Sequence, residues 1–342
     1  MISETGTLGM FEEWVRSRVG PVTGFTPLAG DASRRSFFRV VTQYESFIAM
    51  ESGRIPMDSW VDINNLLHSR KFPVPELYFT DIPAGWAIME DLGDTRLLDL
   101  PPAGYRKSLG DALELLERMQ RELTQSECAE SIAGRRHFTA SFFAAELDHT
   151  LEHLFFRLLR VPPDEVKALQ EHFRNLCALV SEGPRVFAHR DFHSANLMIR
   201  SGSVVMVDWQ DARFGPPEYD LVSILRDSYV DIGSTWETLA RKFLHSTGRS
   251  NLFRVAACAC QRSLKAAGTF AYQYRAFERA GYLDSLPRTM RYLDDYSRLC
   301  PRLKPLVDDV YRILDTHTGE IDLTSFREAD APGFPGRPAH GA

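Results

Sequence analysis

Three polar side chains in the middle of the chain have types and a spacing that suit acid–base and metal chemistry. Asp191 and Asn196 belong to the segment His-Arg-Asp-Phe-His-Ser-Ala-Asn, and Asp208 ends the apolar run that follows it. In the pattern H-R-D-x-x-x-x-N, the Asp accepts the proton of an attacking hydroxyl and the Asn helps to hold magnesium during phosphoryl transfer. A further carboxylate such as Asp208 is an oxygen ligand of the kind that Mg²⁺ prefers. The segment therefore predicts a catalytic base at Asp191 and magnesium ligands at Asn196 and Asp208, with His189 packing the loop rather than transferring protons.

Two short β-type runs must position these side chains. Residues 197–199 and 204–207 are apolar, and the Ser-Gly-Ser between them is typical of a tight hairpin turn. Pairing of the two strands places Asn196 beside Asp208, and the loop that carries Asp191 leads into the same hairpin. A single Asp or Asn in a loop most often serves only a turn or a cap, so the prediction rests on the combination.

A β-rich block precedes this segment, after a helix predicted at 11–19. Alternating and β-branched residues predict five strands and one helix: strands at 24–28, 36–41, 46–50, 76–80 and 86–90, and a helix at 57–69. The loop between the first two strands holds small residues and two cations, so it is a candidate phosphate flap whose backbone N–H groups cradle a polyphosphate. The candidate residues are Gly30, Asp31, Ser33 and Arg35. A plain hairpin turn with a basic edge explains the loop equally well, and the chain has neither G-x-G-x-x-G nor G-x-x-x-x-G-K-[ST].

From residue 103 onward, apolar residues at three-to-four spacing predict a mainly helical region. The predicted helices cover 103–123, 140–159, 164–181, 221–229, 236–245, 252–270 and 301–314. The segment 90–94, Glu-Asp-Leu-Gly-Asp, connects the two regions. Its main-chain groups are placed to contact an adenine edge if a nucleotide binds there, and the side chains of Glu90 and Asp91 are expected simply to face solvent. The chain therefore divides into a β-rich lobe at 1–91, a helical lobe at 92–328 and a Pro- and Gly-rich tail at 329–342, which is predicted to be disordered.

Polar residues beyond the hairpin add candidates with less specific patterns. Gln210 and Asp211 either contact metal or acceptor or form a simple turn. Arg262 and Lys265 share a helical face that either meets a phosphate or sugar or is only solvated. Asp220 precedes an apolar-periodic run and is interpreted as a helix N-cap.

Composition limits the classes of partner. The 342 residues are 44% hydrophobic and 25% charged, and 40 basic against 46 acidic residues give a net charge of −6. This is ordinary globular material without a basic field for nucleic acid or an anionic membrane. No run approaches the roughly 20 apolar residues of a membrane span, and the N-terminus lacks the apolar core of a secretory signal. The five scattered cysteines do not suggest a disulfide framework or zinc site. We expect a cytoplasmic protein.

These features together resemble the aminoglycoside phosphotransferase-like branch of the protein-kinase-like fold, over residues 10–315. More narrowly, the segments that begin at Gly30, Met89, Asp208, Tyr219 and Gln261 resemble the bacterial anomeric kinases of N-acetylmuramate and N-acetylglucosamine, which serve peptidoglycan recycling. The resemblance implies an α+β, bilobal fold with a small antiparallel β N-lobe containing one helix and a larger, mainly helical C-lobe.

The same resemblance implies an activity and roles for individual residues. The activity is ATP- and Mg²⁺-dependent phosphorylation of an anomeric sugar hydroxyl, with a sugar 1-phosphate as product. Asp191 would be the base, Asn196 and Asp208 would hold magnesium, and backbone groups of Glu90 and Leu92 would contact adenine.

Three features depart from the general kinase pattern. Met50 stands where the third strand usually carries a phosphate-binding lysine, Trp209 and Gln210 stand where Phe-Gly is usual, and the flap is poor in glycine. Arg34, Arg35 or Arg39 could substitute for the lysine, because a guanidinium group binds phosphate oxygens bidentately.

Three alternatives therefore stay open. The first is a kinase of another hydroxylated molecule, such as an aminoglycoside, for which the acidity of the chain is suitable. The second is a non-catalytic nucleotide- or sugar-binding pseudokinase, suggested by Met50. The third is a metal-dependent hydrolase using Asp191, Asp208 and Asp211, which does not explain Asn196. Neither the choice between ATP and GTP nor the oligomeric state is predicted.

Overall fold

The computed structural model describes residues 4–28, 35–249 and 251–317, which form an α+β fold of two compact units. Unit 1 holds the described residues up to Thr95 together with Met198–Asp211, and unit 2 holds Arg96–Leu197 together with the described residues from Ala212 onward. The predicted division after residue 91 does not anticipate that the segment 198–211 belongs with the N-terminal part. The tail predicted at 329–342 lies outside the described residues.

Unit 1 is built on a five-stranded antiparallel sheet with the strand order β1-β2-β3-β5-β4. Its elements are α1 (Glu4–Val19), β1 (Val22–Leu28), β2 (Ser36–Thr42), β3 (Ser46–Glu51), α2 (Asp58–Ser69), β4 (Leu77–Asp81) and β5 (Trp86–Glu90). Phe11 and Val15 of α1 are buried in one core with Val40 and Ala49 of the sheet. Side chains alternate between the two faces of a strand, so β2 and β3 each present one apolar face to this helix. The predicted sheet and its helix at 57–69 are confirmed.

Unit 2 is mainly helical. Its helices are α3 (Pro102–Glu122), α4 (Ile132–Arg135), α5 (Ala140–Thr150), α6 (Lys167–Ser181), α7 (Glu218–Leu225), α8 (Thr235–Ser246), α9 (Leu252–Phe277), α10 (Leu286–Leu299) and α11 (Lys304–Thr316). The predicted helix at 140–159 is divided, because α5 continues as a π-helix over Leu151–Leu158. The sequence analysis did not predict α10. Its buried residues recur at helical spacing, but they lie among arginines and aspartates, so the segment as a whole is polar.

Helices α5 and α9 cross closely. A methyl group added at Gly268 of α9 would lie 2.4 Å from Thr150 Oγ1 and 2.6 Å from Thr150 Cα. The Thr150 hydroxyl donates a hydrogen bond to the Leu264 carbonyl at 3.0 Å. Glycine is therefore required for this approach, which brings the polar faces of α5 and α9 together.

Four short strands form two further sheets: β6 (Val186–Ala188), β7 (Leu197–Arg200), β8 (Ser203–Met206) and β9 (Arg213–Gly215). β6 pairs with β9, and β7 pairs with β8 in the predicted hairpin, which is confirmed. Ser201 and Gly202 have positive φ angles of 49° and 79°, as a tight hairpin turn requires. β6 and β9 were not predicted, because three residues are too few to show a period.

All five cysteines are buried and form no disulfide. Across the described ranges, none of the helices combines the length and the apolar character that crossing a membrane demands.

Candidate active site

The loop that carries Asp191 is held by a carboxylate from α7. Asp220 accepts hydrogen bonds from the backbone N–H groups of His189 at 2.5 Å and Arg190 at 3.0 Å. Burial raises the pKa of Asp220 to about 7, while the two N–H donors act in the opposite direction. The N-cap prediction is wrong, because the cap position is Pro217 and Asp220 lies inside the first turn with its carboxylate on the loop. His189 is fully buried, in agreement with a packing role.

A second buried carboxylate fixes the other end of the loop. Asp227 accepts hydrogen bonds from the backbone N–H of Ser194 at 2.8 Å and from its hydroxyl at 2.5 Å. Arg190, between the two anchors, has a φ of 81°. Such a conformation costs about 1–3 kcal/mol in a non-glycine residue and persists where surrounding bonds enforce it. Sequence reasoning missed Asp227, because its partner is distant in the chain and it belongs to no motif.

Asp191 lies among three cations, Arg190, Arg262 and Lys265, which are called the cation cluster below. Its Oδ1 is 3.4 Å from Lys265 Nζ and 3.8 Å from an Arg262 guanidinium nitrogen. Burial alone raises the pKa of Asp191, but the charges of Lys265, Arg190 and Arg262 outweigh burial and hold the pKa well below its usual range. Asp191 is therefore a carboxylate at neutral pH, the form in which it can accept a proton.

Glu146 of α5 joins the cation cluster from the opposite side. Its carboxylate accepts hydrogen bonds from Arg190 at 3.3 Å and from Gln261 Nε2 at 3.0 Å. Arg262 donates to the Ser223 hydroxyl, and its guanidinium lies 5.6 Å from the centre of the Tyr219 ring. The helical face predicted at Arg262 and Lys265 is thus turned toward Asp191 and is not a solvated surface.

Asn196 is held by the same loop. Its Nδ2 donates to the Asp191 backbone carbonyl at 3.0 Å and lies 3.4 Å from His193 Nε2. The amide nitrogen of Asn196 is bonded to the loop. Its amide oxygen is an atom of the type that magnesium binds. Its role as a metal ligand stays a prediction.

Asp208, the other predicted metal ligand, belongs to unit 1 and is exposed. The φ angle of Asp208 is 67°, so its backbone is strained, as the backbone of Arg190 is. Gln210 Nε2 donates to Asp208 Oδ1 at 2.6 Å. Between them, Trp209 is buried, stacks on Trp60 with ring centres 5.5 Å apart and donates to the Trp60 carbonyl at 2.8 Å. Trp209 therefore anchors the segment, which explains a tryptophan where other kinases have phenylalanine.

Arg35, at the end of the predicted flap, lies near these carboxylates. Its Nε is 3.5 Å from the Ser52 hydroxyl. Burial lowers the pKa of Arg35, whereas the negative charges of Asp208 and Asp211 raise it. The remaining flap candidates Gly30, Asp31 and Ser33, and Arg34 as a substitute cation, lie outside the described residues.

Arg39 is held by two carboxylates of the connector. Its guanidinium donates to both Asp91 oxygens at 2.8 and 3.1 Å and to both Asp94 oxygens at 2.8 and 3.1 Å. These hydrogen bonds raise the pKa of Arg39 above its ordinary value. Arg39 is therefore committed to the connector and does not stand in for the lysine missing at Met50, which is itself fully buried.

The expectation that the side chains of Glu90 and Asp91 face solvent is also wrong. The side chains of Glu90 and Asp91 are only 9% and 6% exposed. Glu90 pairs with Arg200 of β7, and its backbone N–H donates to the Glu76 carbonyl at 2.9 Å. An adenine contact at Glu90 has to come from its carbonyl. Leu92, the other predicted adenine contact, is 9% exposed.

Curated relatives cover most of the chain. An N-acetylmuramate/N-acetylglucosamine kinase of Neisseria meningitidis serogroup B is 28% identical over 324 residues, which cover 86% of this chain and 91% of the relative. A protein of the same name from Pseudomonas putida is 27% identical and covers 84% and 87% of the two chains.

Solved structures share the fold at lower identity. Choline kinase LicA of Streptococcus pneumoniae has a TM-score of 0.62 at 15% identity, covering 84% of this chain and 99% of that chain. A thermostable mutant of aminoglycoside phosphotransferase APH(4)-Ia, in a ternary complex with ADP and hygromycin B, has a TM-score of 0.59 at 16% identity, covering 84% and 98%. The predicted protein-kinase-like fold is confirmed.

The family model described as phosphotransferase enzyme family matches residues 24–258, which include every site residue described above except Gln261, Arg262 and Lys265 of α9. The match spans more than half of the chain. The chain belongs to the phosphotransferase enzyme family, the APH family.

Proposed function

We propose that this protein is an ATP- and Mg²⁺-dependent kinase that phosphorylates the anomeric hydroxyl of N-acetylmuramate or N-acetylglucosamine. The observation that carries the proposal is the ionised Asp191 inside a cation cluster, on a loop anchored by Asp220 and Asp227. The names of the curated relatives supply the acceptor, and nucleotide complexes of the structural neighbours support ATP as the donor.

The chemistry follows from the charge of Asp191. A carboxylate held ionised by nearby cations orients an attacking hydroxyl and accepts its proton as the oxygen–phosphorus bond forms. The transition state of phosphoryl transfer is loose, so catalysis depends mainly on positioning and on charge neutralisation. The anchors Asp220 and Asp227 meet the first requirement, and the cation cluster meets the second.

The donor set fits magnesium. Asn196 offers an amide oxygen and Asp208 an exposed carboxylate, and Mg²⁺ is commonly bound by one or two such groups plus nucleotide phosphates and water. When bound, the ion neutralises phosphate charge. Asp211 and Gln210 flank the Asp208 ligand, and Gln210 orients its carboxylate by the hydrogen bond described above. In unit 1, Arg35 with Gly30, Asp31 and Ser33 are the proposed phosphate contacts, and Glu90 and Leu92 the proposed adenine contacts.

The cation cluster favours an anionic or neutral acceptor over an aminoglycoside. Arg190, Arg262 and Lys265 are three cations around two carboxylates, those of Asp191 and Glu146. A polycationic acceptor would add positive charge to this cluster. N-acetylmuramate carries a carboxylate and N-acetylglucosamine no charge, so neither meets this repulsion. The net charge of the whole chain, which suits a cationic acceptor, is a weaker guide than the charges at the site.

The deciding experiment is ³¹P NMR of the purified protein with Mg·ATP and each sugar in turn, with an aminoglycoside panel in parallel. The expected product signal is a phosphate doublet coupled to the anomeric proton. If only an aminoglycoside were phosphorylated, the proposed sugar acceptor would be wrong and the protein would be an aminoglycoside kinase. Nucleotide binding without transfer to any acceptor would favour the pseudokinase, and release of phosphate without an acceptor would favour the hydrolase.

A role in cell-wall recycling follows from these sugars as part of the proposal. The cytoplasmic location stays a prediction from the N-terminal sequence.

A further inference from the structure

The cation nearest to Asp191 does not come from the usual places. The third strand carries Met50, and the four residues between Asp191 and Asn196 are Phe-His-Ser-Ala, with no permanently charged side chain. Arg190, the residue before Asp191, supplies one of the surrounding charges. Of the two ion pairs of Asp191 given above, the shorter is with Lys265, in the middle of α9.

The three members of the cation cluster differ in what else they bind. Arg190 donates to Glu146 at 3.3 Å, and Arg262 donates to the Ser223 hydroxyl. Within the described residues, the Lys265 ammonium forms its ion pair with Asp191 alone, at 3.4 Å, which is long for a hydrogen bond. The Lys265 side chain is only 17% exposed to solvent. Lys265 is thus a shielded cation that can change partners without breaking a second bond.

We propose that Lys265 is a catalytic cation that pairs with Asp191 before phosphoryl transfer and with the transferred phosphoryl group afterwards. This inference rests on the proposed kinase function. In the step, the acceptor oxygen bonds to the γ-phosphorus, and the bond from that phosphorus to the bridging oxygen breaks with its electron pair remaining on ADP. The hydroxyl proton passes to Asp191, which becomes neutral. Lys265 then loses its counter-charge at the moment when the new phosphate monoester needs one.

The test is steady-state kinetics of Lys265→Ala and Lys265→Arg with each sugar separately. We expect Lys265→Ala to lower kcat by about 10²-fold with both acceptors, the size of effect of removing one group that stabilises transition-state charge. KM for the sugars and for ATP should stay within about threefold, because the lost interaction forms during transfer and not on binding. Lys265→Arg, which keeps the charge, and ethylammonium added to Lys265→Ala should each restore part of kcat.

Two controls separate this role from a structural one. Lys242→Ala removes an exposed lysine of α8 and should leave kcat unchanged. Lys265→Met keeps the length of the side chain without its charge, and it should show the same kcat loss with an unfolding temperature close to that of the wild type.

Three results would overturn the inference. Full kcat in a folded Lys265→Ala or Lys265→Met variant would remove the catalytic role. A rise in KM for N-acetylmuramate alone, with N-acetylglucosamine unaffected, would make Lys265 a binder of the acceptor carboxylate instead. A wild-type protein inactive with both sugars would overturn the proposed function as well, so the two failures are distinguishable.

Discussion

The two units hold their predicted site residues by different physical means. In unit 2, the loop around Asp191 is fixed by the buried carboxylates of Asp220 and Asp227, which accept four hydrogen bonds from it. In unit 1, Asp208 is exposed, and the largest ion network joins Arg39 to Asp91 and to an Asp94 side chain that is 80% exposed. Buried donors cannot replace a lost carboxylate with water, whereas exposed groups can.

This difference shows that the site residues of unit 2 are the ones held in place before substrate binds. The proposed base, Asp191, has its charge balanced by cations, and the residue before it, Arg190, is held in a strained conformation before any substrate arrives. The proposed metal ligand of unit 1, Asp208, remains open to solvent, as expected for a group that meets a hydrated, charged ligand. Substitutions in unit 2 should therefore have larger effects than substitutions in unit 1, which the following predictions test in order of decreasing effect.

The largest effect is expected for Asp191→Asn. The variant keeps the shape of the side chain but cannot accept the hydroxyl proton, so kcat should fall by about 10²–10⁴-fold. Calorimetry should show nucleotide binding close to that of the wild type. Asp148→Asn, on an exposed position of α5, is the matched control and should be fully active. An active Asp191→Asn enzyme would remove Asp191 from the role of base.

Asp220→Ala should both destabilise and inactivate the protein. It leaves the buried N–H groups of His189 and Arg190 without their acceptor, at about 1–3 kcal/mol for each. Urea unfolding should show this loss in the free energy of unfolding, together with a lower kcat. A variant with wild-type stability would mean that the loop is held by other contacts.

The same carboxylate predicts a dependence of stability on pH. Because burial raises the pKa of Asp220 to about 7, the folded state retains its proton at a pH where the unfolded chain has lost it. The contribution of protonated Asp220 to the free energy of unfolding is complete below the unfolded pKa of about 4. It is lost as the pH rises toward 7, by up to about 1.4 kcal/mol per pH unit. Urea unfolding at pH 5 and 7.5 should therefore show a steeper decline for the wild type than for Asp220→Asn. Parallel declines would contradict the raised pKa.

Gly268→Ala should loosen the crossing of α5 and α9. The added methyl group meets Thr150 backbone and side chain, and such overpacking costs about 1–3 kcal/mol. Gly110→Ala in α3 is the matched control, because a methyl group there has no neighbour within 4 Å. The control should be slightly stabilised, by about 0.5–1 kcal/mol. If the two variants had the same free energy of unfolding, α5 would be able to move away from α9 without a loss of stability.

The smallest effect is expected for Arg39→Ala. The ion network is partly exposed, so its removal should lower the free energy of unfolding by about 1 kcal/mol or less. KM for ATP should change by less than about twofold, because Arg39 is committed to the connector. A tenfold rise in KM for ATP would indicate that Arg39 contacts the nucleotide phosphates. It would also contradict the expectation that substitutions in unit 1 have the smaller effects.

Sequence reasoning succeeded where a local pattern expresses the structure directly. The five strands of unit 1 and the hairpin after the catalytic segment are confirmed, because alternation and turn residues act between near neighbours. It failed for Asp220, whose position before an apolar run is typical of a cap. A carboxylate that bonds to the loop from thirty residues away in sequence has no local signature.

The sequence by itself determined the fold class, the choice of Asp191 as the candidate base and the absence of a lysine on the third strand, because residue types and short spacings define all three. Tertiary structure alone decided which charges surround the base. The pairing of Asp191 with Lys265 and the capture of Arg39 by Asp91 join residues that are 74 and 52 positions apart. A charge acts on whatever lies within a few ångströms, and only the packing of α9 against the loop, and of β2 beside the connector, sets those distances.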